Sequence, residues 1–382
     1  MKILHINSNY IWAPLHQAMI EHLDAGGVES RVFVPTYHNA KNIVLPNKNV
    51  LVAGCFRKLD RFVFYYKQAK ITTAAQKTYG VSTFDCIHAY TLFTDGNCAM
   101  QLAQQYGIPY VVAVRNTDIN VFLKKRIFLR RSGIRILQNA SAVFFLSEAY
   151  RQQLFREYVP SVLQDSLLRK AYVIPNGIDD FWIDNRVTIF EPERIKRIAN
   201  KQLRVVYAGK VDKNKNITAT QKALSILRTK GWNIAFTVVG NIVDKQEYKR
   251  IMKDPKTFYK PEQPKEALIS IYRENDIFIM PSVHESFGLV YAEAMSQGLP
   301  VVYTRGQGFD KQFEEGLVGF SVDCHNPEEI ANAVLRIVND YEAIQQRCVE
   351  FCRKFCWRNI VNKYIAIYEE VSINRSTCRN IG

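Results

Sequence analysis

Short apolar runs alternate with longer amphipathic ones along this chain, and the alternation breaks off near residue 180 and begins afresh near residue 200. KILHIN, SRVFVP, FDCIHAY, YVVAVR and SAVFFLS read as strands. Between several of them lie helical patterns such as HQAMIEHLDAGG, closed by glycines that suit a helix C-terminus. Near-continuous Val, Ile and Phe marks strands covered on both faces by helices, which predicts an α/β fold built on a parallel sheet. After AYVIPNGIDDFW the stretch DNRVTIFEPERIKRIANK is polar and charged, and it sets the domain boundary. LRVVYAG, ITATQKALSILRTKG, NIAFTVVG, DIFIMPS, AEAMSQG, LPVVYT and VGFSV then restart the rhythm without any sequence repeat of the first half. The expected domains are residues 1–180 and 200–350, each of a size that one core supports. A last helical segment, about 358–375, carries recurrent aromatic and aliphatic residues and must cover a core.

With 47% hydrophobic and 23% charged residues, the chain is ordinary globular material, neither disordered nor fibrous. Its start, MKILHINSNY, turns polar by Asn7 and reads as a first strand, not a secretion signal. No run approaches the roughly eighteen apolar residues of a membrane-spanning helix, so a cytoplasmic location is expected. Eight cysteines occur without a C-x-x-C pair. Cys348, Cys352 and Cys356 fall at i, i+4, i+8, on one side of a single helix, which cannot wrap its own ligands tetrahedrally around zinc. Packing is their expected role. The formal charge of +15 implies an anionic partner: nucleic acid, phosphorylated small molecules and anionic lipid all fit.

Three constellations in the second half carry chemistry. In VVYAGKVDKNKN a strand ends at Gly209, and Lys210, Lys213 and Lys215 crowd the loop before a helix that Asn214 or Asn216 can cap. Cations beside free helix N–H groups make a phosphate site, although a solvated lysine turn has the same look. In PSVHESFGLVYAEAM, Ser286, Phe287 and Gly288 lead into a helix, so the N–H groups of Gly288, Leu289 and Val290 are available to an anion such as a diphosphate. Glu285 and Glu293 flank that turn. Carboxylates accept from vicinal hydroxyls, so Glu285 can hold the sugar of a nucleotide-sugar and Glu293 its ribose; a plain helix-surface role is the alternative for Glu293. Third, Gly306 and Gly308 form a flexible loop after LPVVYT, able to close on a ligand or to be no more than a turn.

Together these residues resemble the retaining glycosyltransferases of family 4, whose two Rossmann-like domains face each other across a cleft in the GT-B fold, with a final helix crossing back to the first domain. The resemblance rests on Glu285 and Glu293 within P-S-x-x-E-S-F-G-L-V-x-x-E-A-M, on the AG-K-x5-N phosphate loop, and on PNGID at 175–179. It implies that Lys210, in place of the family's usual arginine, and Lys215 grip the donor diphosphate, that Glu285 lies against the donor sugar, and that Glu293 holds the ribose. It also implies that the helix around Trp357 packs on the first domain. The first half departs from the family pattern: the first strand ends in NSNYIWAP without a glycine-rich loop, and Arg115-Asn116-Thr117-Asp118 stands where many members have a histidine.

The resemblance further implies same-face substitution without a metal or other cofactor, a nucleoside diphosphate sugar being the co-substrate. From the first domain, Asn9 and Tyr10 are candidate acceptor or sugar contacts. Arg115 and Asn116 follow a strand end, and Arg115 can hold an anionic acceptor and Asp118 a sugar hydroxyl; loop capping is the competing role. His88 is a further candidate, or a satisfied core histidine. Two runs, RKLDRFVFYYKQAK from Arg57 and KKRIFLRRSGIR from Lys124, interleave basic with aromatic or aliphatic residues, as a helix at an anionic membrane face does, and as a solvated surface also can. The expected function is transfer of a hexose or hexosamine from a UDP-sugar, or next a GDP-sugar, to a saccharide or lipid-linked saccharide in polysaccharide or glycolipid assembly, such as lipopolysaccharide or capsule. A nucleotide-sugar epimerase and a noncatalytic nucleotide-sugar binder share the architecture. No nucleic-acid-binding motif is present.

Overall fold

The computed structural model describes residues 1–37 and 49–379. The chain forms two compact units, one of Met1–Leu146, Tyr150–Gly177 and Trp357–Gly382, the other of Ser147–Ala149 and Ile178–Cys356.

The first unit holds a seven-stranded sheet of β1 (Lys2–Ile6), β2 (Glu29–Tyr37), β3 (Val50–Phe56), β4 (Cys86–Ala89), β5 (Tyr110–Val114), β6 (Ala142–Phe145) and β7 (Ala171–Val173) in the order β3-β2-β1-β4-β5-β6-β7. Every pairing is parallel. Because side chains alternate along a strand, each strand feeds two cores. Leu4, Val112 and Val143 point to one, beneath the helices Phe64–Thr78, Thr94–Tyr106 and Arg130–Asn139. Ile3, Val111 and Ala142 point to the other, beneath Pro14–Ala25 and the terminal helix Trp357–Arg379. That helix buries Trp357, Ile360, Val361, Tyr364, Ile367, Tyr368 and Val371, the spacing of one helical face, so it completes this sheet although it lies last in sequence. Gly177, within PNGID, is where the indole of Trp357 rests: a Cβ there would stand 2.4 Å from its Cδ2.

The second unit holds a six-stranded parallel sheet of β8 (Gln202–Ala208), β9 (Asn233–Val239), β10 (Thr257–Lys260), β11 (Ile277–Met280), β12 (Val301–Thr304) and β13 (Gly319–Val322), ordered β10-β9-β8-β11-β12-β13. The polar stretch after Asp184 belongs to this unit, where the helix Pro192–Ala199 brings Arg194 and Arg197 onto the buried carboxylate of Asp276.

Two readings of the sequence change. β3, β7 and β10 form strands beyond those read from the sequence. The cysteine triplet does not share one helix: the helix Tyr341–Phe351 stops, Cys352 opens a short 3-10 turn, and Cys356 lies beyond it. Cys348 and Cys352 are buried, and their thiols donate to the carbonyls of Val318 and Val349. Among the described residues no helix is long and apolar enough to cross a membrane.

Candidate active site

The first two constellations and the glycine loop sit at one edge of the second sheet, because β8, β11 and β12 are neighbours and all run the same way. Open parallel sheets offer their ligand sites at this carboxyl edge. The loop after β8 and the loop after β11 are joined by Asn214: its side chain donates to the carbonyl of His284 at 2.9 Å and accepts from the His284 N–H at 3.0 Å, and its carbonyl accepts from Val283 at 2.8 Å. Asn214 is therefore a clasp, not a helix cap. Asp212 caps the short 3-10 turn Lys213–Lys215, accepting from the Lys215 N–H at 3.0 Å, while Asn216, at the start of the helix Ile217–Thr229, turns left-handed at φ 56° and donates to the carbonyls of Pro281 and Cys324 instead of capping.

This stitching brings Lys215 and Glu285 together: Nζ and Oε2 are 2.5 Å apart, with both side chains largely shielded. The glycine loop is not loose. The Gly308 N–H donates to the Glu285 carbonyl at 3.0 Å, and Gln307 Oε1 accepts from the Glu285 N–H at 2.9 Å. A Cβ at Gly308 would lie 2.1 Å from the Ser286 carbonyl oxygen, so only glycine permits this approach. Ser286 is exposed and Phe287 buried. Gly288 holds φ 79° as the residue that opens the helix Leu289–Ser296, and the N–H groups of Gly288, Leu289 and Val290 meet no protein acceptor among the described residues.

Beside this cluster a cavity of about 250 Å³ is lined by Gly209, Lys210, Gly240, Leu268, Val290 and Glu293. Lys210 is exposed, its loop held by the Tyr207 hydroxyl donating to the Lys210 carbonyl at 2.6 Å. Glu293 is half-buried, and loss of solvent, aided by the charge of Asp179, pushes its carboxyl up to about 7. Such a carboxylate is poised to accept hydroxyl donors that would repay its desolvation. Glu285 is outside the cavity lining. Gly240 escaped the reading of the sequence, yet the signal was present: β8 and β9 are each followed directly by a glycine, with φ 148° at Gly209 and 145° at Gly240, and a Cβ at Gly240 would stand 1.8 Å from the Gly209 carbonyl oxygen. Asn241 and Glu262, also on the wall, carried no such signal.

In the first unit the candidates part company. Asn9 is exposed after β1, whereas Tyr10 is buried in the core. His88 is fully buried, hydrogen-bonded through Nδ1 to the Tyr368 hydroxyl at 2.6 Å, and burial lowers its pKa so that it is neutral. It faces the terminal helix. Asp118 is 1% exposed and accepts from the N–H groups of Arg115, Leu92 and Phe93 at 2.8, 3.0 and 3.4 Å. Its carboxyl, raised to about 6 by burial, orders the loop that carries Arg115. Arg115 is half-buried and spends Nε on the Tyr90 carbonyl at 3.0 Å, and Asn116 donates to the Tyr150 hydroxyl at 2.5 Å. Asp95, not singled out in the sequence, holds the β1 loop by accepting from the Ser8 N–H at 3.2 Å.

Among the described residues no group of three His, Cys, Asp or Glu side chains is placed to hold a metal. Residues 189–355 match the family described as glycosyl transferases group 1, and residues 16–165 match the glycosyl transferase 4-like domain. A D-inositol 3-phosphate glycosyltransferase of Paenarthrobacter aurescens is 24% identical over 311 residues, 75% of this chain and 73% of that protein. The enzyme of the same name from Corynebacterium urealyticum is 35% identical, but over 30% of this chain and 27% of its own length. Among solved structures, sucrose-phosphate synthase from Thermosynechococcus elongatus superposes with a TM-score of 0.70 at 18% identity, over 97% of this chain and 99% of that one. Anabaena HepE in complex with UDP-glucose does so at 0.64 and 17% identity, over 99% and 100%. The chain belongs to the group 1 glycosyltransferases of family 4 and has their GT-B fold, two Rossmann-like units with a C-terminal helix.

Proposed function

We propose that the chain transfers a hexose or hexosamine, with retention, from a nucleoside diphosphate sugar to a saccharide or lipid-linked saccharide, in surface polysaccharide or glycolipid assembly on the cytoplasmic side. The observation that carries this is the meeting of Lys215 and Glu285 beside the open amides of Gly288 to Val290, with Lys210 and Glu293 on the adjoining cavity. In this reading the cavity takes the nucleoside, with Glu293 accepting from the ribose hydroxyls. The diphosphate lies over the amides between Lys210 and Lys215, and Glu285 meets the sugar. Uridine is favoured by the UDP-glucose held in HepE on the same fold.

The bond from the anomeric carbon to the β-phosphate oxygen breaks as the acceptor oxygen approaches the same face, and the acceptor proton passes to the departing phosphate oxygen. The chain's part is electrostatic. Two ammonium groups and a set of fixed N–H dipoles meet the charge that grows on the leaving diphosphate, help that costs no reorganisation during reaction. Glu285, whose charge is matched by Lys215, steadies the sugar as its ring becomes cationic. These roles need no metal.

The test is thermal shift with UDP, GDP, ADP and their sugar conjugates, on the wild type and on Lys215→Ala and Glu293→Ala. One diphosphate should raise the melting temperature of the wild type, and both variants should lose most of that rise. Product from the stabilising donor should keep its anomeric configuration by NMR. No shift at millimolar concentrations of every ligand would sink the donor-site assignment.

A further inference from the structure

The first unit leaves large apolar side chains in water at two places remote in sequence, 57–67 and 121–131. Leu59 and Phe62 are each 75% exposed, Ile127 66% and Phe128 71%, and Val63, Tyr65 and Tyr66 are exposed beside them. Folding ordinarily hides such side chains, and clusters of them mark contact surfaces. The two segments are neighbours in space because both are anchored on Phe93. Phe122 stacks on its ring at 4.8 Å between centroids and Phe64 meets it edge-on at 6.4 Å. Lys67 lies close enough to Arg126 for its pKa to be lowered in part by that charge, after the larger effect of burial.

The same two segments are basic in sequence: residues 57–67 hold four lysines and arginines and 121–131 hold five, against the single acid Asp60, which Lys70 neutralises at 2.7 Å. Lys124, Lys125 and Arg131 have no carboxylate partner among the described residues. Exposed apolar tips among unpaired cations fit neither water nor a purely polar partner. A lipid surface with anionic headgroups satisfies both, hydrocarbon taking the apolar tips and phosphates the cations, and tyrosines settle at that boundary.

We infer that this face of the first unit, built from residues 57–67 and 121–131 on either side of Phe93, docks onto an anionic bilayer. The docking bears on the acceptor in the proposed function, since the face connects directly to the Arg115 loop. The Phe93 N–H donates to Asp118, whose carboxylate also holds Arg115, and the π-helical turn Asp118–Leu123 runs from that loop toward Ile127 and Phe128. Docking sets the Arg115 loop at the lipid surface, where a lipid-linked acceptor presents its sugar. The docking itself does not require that reading of the donor site.

The experiment is vesicle flotation of the whole protein with pure phosphatidylcholine and with about 30% phosphatidylglycerol added, near physiological salt. The wild type should float with the anionic vesicles alone. Leu59→Ser and Phe128→Ser, one from each segment, should each cut partitioning by about tenfold, and Lys124→Glu/Lys125→Glu by at least as much. Thermal shift with the stabilising diphosphate, unchanged in all of these, shows that the fold and donor site persist and separates a failure here from a failure there. The inference is overturned if the wild type stays with the soluble fraction, or if the serine variants float like it. It is equally overturned if a single-stranded oligonucleotide binds the face as tightly as the vesicles do, or if the serine variants merely dissociate a dimer of this chain.

Discussion

Glu293 shows what the sequence could and could not tell at the scale of one side chain. The motif placed it one and a half turns into a helix, but not the loss of solvent that raises its carboxyl from 4.5 to about 7. That quantity depends on Leu268, Val290 and the ends of β8 and β9, which come together only in the fold. The direction gives a prediction. A carboxyl whose pKa is raised by folding burdens the native state wherever the unfolded chain is ionised. Glu293→Gln should therefore stabilise the free protein by about 1–3 kcal/mol above pH 7, and the gain should vanish as pH falls toward 4.5. Denaturant unfolding at pH 8 and pH 5 measures both ends. The same variant should bind the donor diphosphate less well at pH 8 and lack the pH dependence of binding expected of the wild type between pH 6 and 8. A variant no more stable than wild type at pH 8 would mean that Glu293 is solvated in the free protein. Lys210 offers the converse case. Exposed and without the planar fork of arginine, it meets a phosphate as a point charge, so Lys210→Arg should tighten diphosphate binding about threefold to tenfold by titration calorimetry.

At the scale of elements, the three strands beyond those read from the sequence share a position. β3, β7 and β10 are all edge strands. β3 is half-exposed along nearly its whole length and β10 alternates buried with open positions, whereas β1, β5 and β11 are almost wholly buried. Periodicity reads burial, and an edge has less of it. The glycines teach a related lesson. Gly306 and Gly308 look alike in sequence, but the first has φ 77° with open space around it, whereas the second has the Ser286 carbonyl where a Cβ would be. Gly306→Ala should cost about 1–2 kcal/mol of backbone strain and leave donor binding alone. Gly308→Ala should push the Ser286–Gly288 turn aside and weaken diphosphate binding by at least tenfold at similar stability cost. Thermal melts with and without ligand distinguish the two, and equal ligand shifts in both variants would remove the glycine loop from the site.

At the scale of the molecule, the first unit is not a continuous piece of chain. Its sheet was legible from the first half of the sequence, but one of its two cores is closed by a helix that begins at Trp357, after the entire second unit. The aromatic spacing of that helix announced a buried face without saying against which sheet, because amphipathicity carries no address. The address lies in particular contacts. Trp357 rests on Gly177 and stacks at 5.8 Å on His22, and Tyr368 bonds to His88, a histidine that burial keeps neutral and that has no other described partner for Nε2. Trp357→Ala should therefore cost about 3–5 kcal/mol, the range for truncating a large buried aromatic, and the cost should fall on the first unit. Trp357 belongs to a core of the first unit, so the diphosphate-induced thermal shift should survive while hydrogen exchange quickens in β1, β4 and the helix Pro14–Ala25. If exchange instead rose around Gly209 and Gly288, the terminal helix would be holding the donor site rather than completing a separate core.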